Sequence, residues 1–278
     1  MLSAARLRQL ADRLLDVPGI TGVMLGGSRA RGAERPDSDV DLGLYYRPPL
    51  DVDQLQALAG TLASDRQGDR PEVTQPGAWG PWVDGGGWLV VDGMAVDWLY
   101  RDLDRVRRSA ELARQGTFDF HFQVGHPLGV PDFAYAGEVA LGVVLADPSG
   151  ELAELKEQLA VYPPALARAV VRRLDEARFL LATLDKPAAR GDVALVAGAL
   201  FRVVGLGAHA IHARAGRWVI NEKGLVEAAG RLPGSPPGFS ARVNALLGGL
   251  GSDPAGLVRA LDLARELLTD VSGASSAL

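Results

Sequence analysis

The chain contains no cysteine. That excludes disulfides, thiolate zinc sites and a cysteine nucleophile. It also fits a reducing compartment, so the expected location is cytoplasmic. Positive charge is not in excess: 29 Lys+Arg stand against 34 Asp+Glu, a formal net charge of -5. A protein that coats nucleic acid needs many phosphate-neutralising side chains, so nucleic acid is disfavoured as a partner. Lysine is scarce, occurring only as Lys156, Lys186 and Lys223. No Gly-x-x-x-x-Gly-Lys-[Ser/Thr] run exists, which rules out P-loop chemistry. The amino end carries Arg6 and Arg8 where a signal peptide would have its apolar stretch. The best membrane candidate, residues 193–211, is interrupted by Arg202. It reads as a buried helix of a bundle, and no membrane partner is expected.

What is present is an ordinary globular composition. Of 278 residues, 47% are hydrophobic and 23% charged, enough for a sizeable core in one large domain or two modest ones. The bias toward Ala, Gly, Arg and Leu resembles a GC-rich bacterial genome. Leu7, Leu10, Ala11 and Leu14 predict a helix over 3–16, ended by Pro18-Gly19. Residues 20–25 read as a buried strand, 38–45 as a strand with one acidic and one apolar face, and 50–62 as a helix. Asp92-Gly93 between two β-prone runs predicts a tight hairpin. A helix is expected from 102 to 115 and a last strand from 141 to 145. After Asp147-Pro148-Ser149-Gly150 the pattern turns helical. It gives one long helix along Leu166, Ala169, Val170, Leu174, Ala177, Leu181 and Leu184, then a helix capped by Asp192. A last helix starts at Asp253-Pro254, and a frayed tail runs from 272 to 278. The fold class is therefore α+β, with a mixed-sheet domain over 1–149 and an all-helical bundle over 150–278.

One stretch carries chemistry: Gly26-Gly27-Ser28-Arg29-Ala30-Arg31-Gly32, then Ser38-Asp39-Val40-Asp41-Leu42. Gly27-Ser28 sits where an apolar strand ends and a helical turn over 29–34 is expected, with Ser28 as its cap. Glycine lets backbone approach a ligand, and free N–H groups at a helix start attract anions. Asp39 and Asp41 are two apart in a strand and so share a face. Two carboxylates held together repel by on the order of several kcal/mol at low dielectric. A divalent cation relieves that, and hard oxygen ligands suit Mg²⁺. Asp97, in the second strand of the hairpin, either completes that set or is a satisfied structural acid. Arg29 and Arg31 either neutralise phosphate charge or are solvated loop residues.

The Gly-Ser turn followed by Asp39-Val40-Asp41-Leu42 resembles the signature of the nucleotidyltransferase fold of the DNA polymerase beta superfamily. The two-part layout is similar to aminoglycoside and lincosamide nucleotidyltransferases. The resemblance implies that Gly27 and Ser28 hold a triphosphate. It implies that Asp39 and Asp41 bind Mg²⁺, and that Asp97 helps hold metal or acts as base. A basic residue of the helical half, Lys223, would reach the triphosphate. The implied reaction is in-line attack of an acceptor hydroxyl on the α-phosphate of an NTP, usually ATP, with release of pyrophosphate. The expected acceptor is a small molecule, an antibiotic among the options, and the expected state is monomer or homodimer. An antitoxin-like nucleotidyltransferase that binds or adenylylates a partner toxin protein is the alternative.

Other features are weaker. Trp79, Trp82, Trp88 and Trp98 fall within twenty positions and read as hairpin core or as aromatic walls for a ring-shaped ligand. Residues 84–87 read as a mobile loop. Glu138 is an alternative base. Gly205-Leu206-Gly207-Ala208-His209-Ala210 imitates a dinucleotide motif but has no strand before it, so it predicts close helix packing. Gly26-Gly27-Ser28-Arg29-Ala30 imitates a hydrolase elbow, a reading that leaves Asp39 and Asp41 unexplained.

Overall fold

The computed structural model describes residues 2–32 and 38–273. The chain forms two compact units, one of residues 1–111, 121–127 and 132–160, the other of 112–120, 128–131 and 161–278. In chain order the elements that build the first are α1 (Ala4–Leu15), β1 (Ile20–Leu25), α2 (Gly27–Ala30), β2 (Val40–Tyr46), α3 (Val52–Leu62), β3 (Gly86–Val91) and β4 (Met94–Asp102). There follow α4 (Leu103–Gln115) and the ribbon β5 (Phe120–Gln123) and β6 (His126–Pro131), whose residues are divided between the two units, then α5 (Ala134–Leu141), β7 (Val143–Ala146) and α6 (Glu151–Gln158) of the first. The five-stranded sheet has the order β3-β4-β2-β1-β7. Among the described strands β2 and β4 run parallel, and the other neighbours in this sheet are antiparallel.

Strand alternation sorts the sheet's two faces. Val40, Leu42 and Leu44 of β2 and Val96, Trp98 and Tyr100 of β4 are buried with Leu7, Leu10 and Leu14 of α1 and Leu55 of α3. Asp41 and Asp97 belong to the opposite face. The Ser3 hydroxyl caps α1 by accepting from the Arg6 N–H at 3.1 Å. The Asp92-Gly93 turn has φ of 51° and 76° at its two positions, the left-handed pair that matches the twist of a two-residue hairpin.

The second unit is built from α7 (Pro164–Arg172), α8 (Leu174–Thr183), α9 (Asp185–Ala189), α10 (Val193–Arg214), α11 (Leu225–Gly230), α12 (Phe239–Gly248) and α13 (Pro254–Gly273). Its core gathers on α10, where Val196, Leu200, Val203, Val204, Leu206 and Ile211 are buried against residues of α8, α12 and α13. A Cβ at Gly205 would lie 2.4 Å from a methyl of Leu128, so this glycine makes a notch for a residue of β6, where close packing of a helix was expected. Of the described helices α10 alone is long and apolar enough to cross a membrane, but 67% of its most apolar window is buried inside the protein. Its one interior charge, Arg202, is bound to Glu176 at 2.8 Å and to the Leu128 carbonyl at 2.8 Å.

Several expectations need correction. The last strand expected over 141–145 is present as β7 but starts two residues later, because Leu141 ends α5, a helix that was not expected. Helix α5 buries Ala134, Tyr135, Ala136, Gly137 and Val139 on nearly every side, so it shows no amphipathic period. The expected helix over 166–184 is two, divided at Arg173, whose guanidinium leaves to bind Asp119 at 2.5 Å. Residues 84–87 are no free loop: Asp84 accepts from the Tyr46 hydroxyl at 2.7 Å, and Gly86 and Gly87 belong to β3. Helix α2 starts at Gly27 with Gly26 at its cap, where Ser28 was expected to cap it; Glu34 lies outside the described residues. At the carboxyl end, Ser272 and Gly273 belong to α13, and the rest of the expected tail is outside the described residues.

Burial pushes the His209 imidazole from 6.5 down to about 3, with help from nearby His212 and Arg202. The folded protein therefore keeps it neutral, while an unfolded chain protonates it below pH ~6.5. This contribution is complete above that pH and is lost as the pH falls toward 3. The expected result is that His209→Leu flattens the acid side of the stability curve by roughly 2 kcal/mol between about pH 7.5 and about pH 5, measured by urea denaturation.

Candidate active site

The site grows from the end of β1. The Gly26 N–H donates to the Asp41 carbonyl at 2.8 Å, which fixes the turn against β2. The next residue, Gly27, has φ +64°, and a Cβ there would stand 1.7 Å from Asp41 Oδ2. Glycine is required at this position by conformation and by space together. The four-residue α2 follows, and the leading N–H groups of so short a turn have no intrahelical acceptor. Arg29 ties the turn to the start of β2, donating to the Ser38 carbonyl at 2.6 Å and the Asp39 carbonyl at 3.1 Å. Arg31 donates to the Gly27 carbonyl at 3.1 Å.

The acids meet across the parallel pair. Asp41 is the register partner of Asp97, so the two lie on neighbouring strands and on one face. Asp39 stands one residue before β2. Arg66 joins the group: its guanidinium lies 3.0 Å from Asp39 Oδ2 and 3.6 Å from Asp97 Oδ1. Carboxylates crowded in this way repel, by about 4 kcal/mol for a pair 4 Å apart at an effective dielectric of 20. The arginine offsets part of that. Sequence reasoning missed Arg66. It lies 25 positions beyond Asp41 in a polar connection, with no pattern to mark it. It is brought to the acids because Ser64 bridges to Val90 of β3. Among the described residues no group of three or more His, Cys, Asp or Glu is gathered to hold a metal ion.

Residues 7–73 match the nucleotidyltransferase domain family. Over these residues the chain has a nucleotidyltransferase fold. Such a domain implies a nucleoside triphosphate substrate and places the protein among the transferases. Its matched segment spans both Gly27-Ser28 and Asp39-Val40-Asp41, and it also takes in Arg66. Eleven chains of solved structures match. One is a nucleotidyltransferase-like protein from Exiguobacterium sibiricum 255-15, 13% identical, with a TM-score of 0.48 over 97% of this chain and 77% of that one. No curated protein matches.

Outside the nucleotidyltransferase motif, Glu138 is held by Arg101 through two hydrogen bonds of 2.5 and 2.7 Å. Arg101 is buried, so this carboxylate serves as its counter-charge. The tryptophans divide. Trp98 is core; Trp82 is stacked between Arg105 and His121, at 4.2 Å from each; Trp88 is stacked on Trp79 at 4.6 Å and is 55% exposed. Lys223 belongs to the second unit, in the turn before α11, where its N–H donates to Asn221 at 3.0 Å.

Two outcomes are expected. Gly27→Ala costs roughly 1–2 kcal/mol for the left-handed backbone alone. It also drives the Asp41 carboxylate aside, so denaturation shows a less stable protein and assays show impaired transfer. Glu138→Gln leaves Arg101 without its charge partner and lowers stability by about 3 kcal/mol, while the turnover of the folded fraction stays unchanged.

Proposed function

We propose that the protein is a Mg²⁺-dependent nucleotidyltransferase that moves a nucleoside monophosphate, AMP from ATP, to a hydroxyl of a small-molecule acceptor and releases pyrophosphate. The observation that carries the reading is the contact of Gly27 with the Asp41 carboxylate, beside its register partner Asp97. It sets an anion-binding turn against an acid cluster, which is the arrangement a triphosphate and a divalent cation need together.

In this reading Gly27 and Ser28 receive the triphosphate at the start of α2, and Arg29 and Arg31 supply positive charge around it. Asp39 and Asp41 hold Mg²⁺, with Asp97 beside them. The donor set fits: Mg²⁺ is held by one or two carboxylates and completes its shell with water and substrate phosphate, so a preassembled cage of three protein ligands is not required. When bound, the metal supplies charge neutralisation on the triphosphate and lowers the pKa of a coordinated hydroxyl. Asp97 accepts the proton of the attacking hydroxyl. The rigid parallel pairing of β2 and β4 fixes the distance between the metal-holding and proton-accepting carboxylates, and positioning supplies a large share of the acceleration.

The test is pyrophosphate release across the four NTPs and a set of hydroxylated acceptors. Asp39→Asn and Asp41→Asn are expected to lower turnover by about a hundredfold or more while the circular dichroism spectrum is retained. Chelation with EDTA abolishes the wild-type reaction and added Mg²⁺ restores it. Turnover that survives both variants rejects the assignment.

A further inference from the structure

Beside the acids lies a cavity of about 370 Å³, lined by Asp65, Arg66, Gln67, Arg70, Glu72 and Trp88. That size falls within the range of small-molecule sites, roughly 300–1,000 Å³. We propose that this cavity is the acceptor site, and that it takes a neutral, polyhydroxylated ring such as a monosaccharide. The inference rests on the nucleotidyl-transfer reading for its placement, and on the cavity's own side chains for its ligand class.

Placement follows from strand order. Asp41 is in register with Asp97, and Asp97 with Trp88, so the three form a row across β2, β4 and β3. The Gly27 turn stands at the β1 end of that row. In-line displacement puts the leaving pyrophosphate and the attacking hydroxyl on opposite sides of the α-phosphorus. With the triphosphate over the Gly27 turn, the hydroxyl must enter from the β3 side. Strands lie about 4.8 Å apart, so Trp88 stands about 10 Å from Asp41 along the row, room for one sugar ring beyond the reacting atoms. Arg66 is common to both places, contacting Asp39 and lining the cavity.

The ligand class follows from the lining. Two arginines face two acids, so the cavity has no net charge and favours neither a polyanion nor a polycation. Asp65 is already engaged, accepting from the N–H groups of Gln67 at 2.9 Å and Asp69 at 2.7 Å. Arg70 and Glu72 make no ion pair among the described residues. Their planar, forked groups, with the Gln67 amide, can serve paired hydroxyls as donors and acceptors. Trp88, braced on Trp79 at 4.6 Å and 55% exposed, offers a rigid aromatic surface for the apolar side of a pyranose.

The test uses saturation-transfer NMR with the methyl glycosides of glucose, galactose and mannose on the full chain. At least one is expected to bind, and Trp88→Ala is expected to weaken it about tenfold, the loss that follows removal of a stacking surface. Glu72→Gln, a near-isosteric change on an exposed side chain, is expected to weaken it severalfold and guards against a folding defect in the first variant. Affinity for MgATP, read by calorimetry, stays within about twofold in both. Absence of binding by all three glycosides, or equal binding by Trp88→Ala, overturns the proposal. So does competition of the glycoside by a short oligonucleotide, which would mark a nucleic-acid groove. Pyrophosphate release that depends on Asp39 together with an indifferent Trp88→Ala removes the sugar site and leaves the transfer reading standing. Loss of glycoside binding in Trp88→Ala with no MgATP affinity does the reverse.

Discussion

Negative charge held against itself is the constraint around which the first unit is arranged. Asp41 and Asp97 occupy register positions on the parallel neighbours β2 and β4, and Asp39 stands just before β2. Apolar residues at alternate positions of both strands are locked into the core beneath α1 and α3, so the acids cannot turn inward to escape one another. Relief must come from outside the strands. Arg66 provides some of it, and the glycine turn after β1 leaves space for more by keeping any side chain away from Asp41. The stability invested in the hydrophobic face is what holds the polar face in a costly arrangement, a common relation between a rigid scaffold and the site it carries.

The second unit solves a different problem. Its central helix is nearly all apolar and small, which lets neighbouring helices approach closely but leaves little room for charge. Arg202 is accommodated by a carboxylate, a carbonyl and the Phe120 ring at 4.4 Å. The two histidines of α10 are buried, and burial lowers the pKa of each, which favours the neutral form.

Much of this was legible in the residues themselves. The α1 face, the Asp92-Gly93 turn, the Asp192 cap and the two-faced β2 follow from period and turn chemistry, which act locally. Gly27 and Asp41 were both marked because they lie within one short motif, but their close approach to each other was not foreseen. What escaped notice depends on the tertiary fold. Helix α5 is enclosed too completely to show a periodic face. Arg66 reaches the acids through an isolated bridge that no local pattern announces. Glu138 drew notice as an alternative base, and nothing local announced its partner Arg101, 37 positions earlier. The tryptophans looked alike in sequence, and only burial separates the core residue from the exposed one.

The connection from α3 to β3 touches the sheet twice, at Ser64 with Val90 and at Val73 with Gly87. Each contact occupies backbone groups of an outermost strand that would otherwise stand open to invasion by a foreign strand. A segment bearing Arg66 and Arg70 thus doubles as a hem that discourages fibril-like stacking along that border. Shortening it would be expected to harm solubility before it harmed folding.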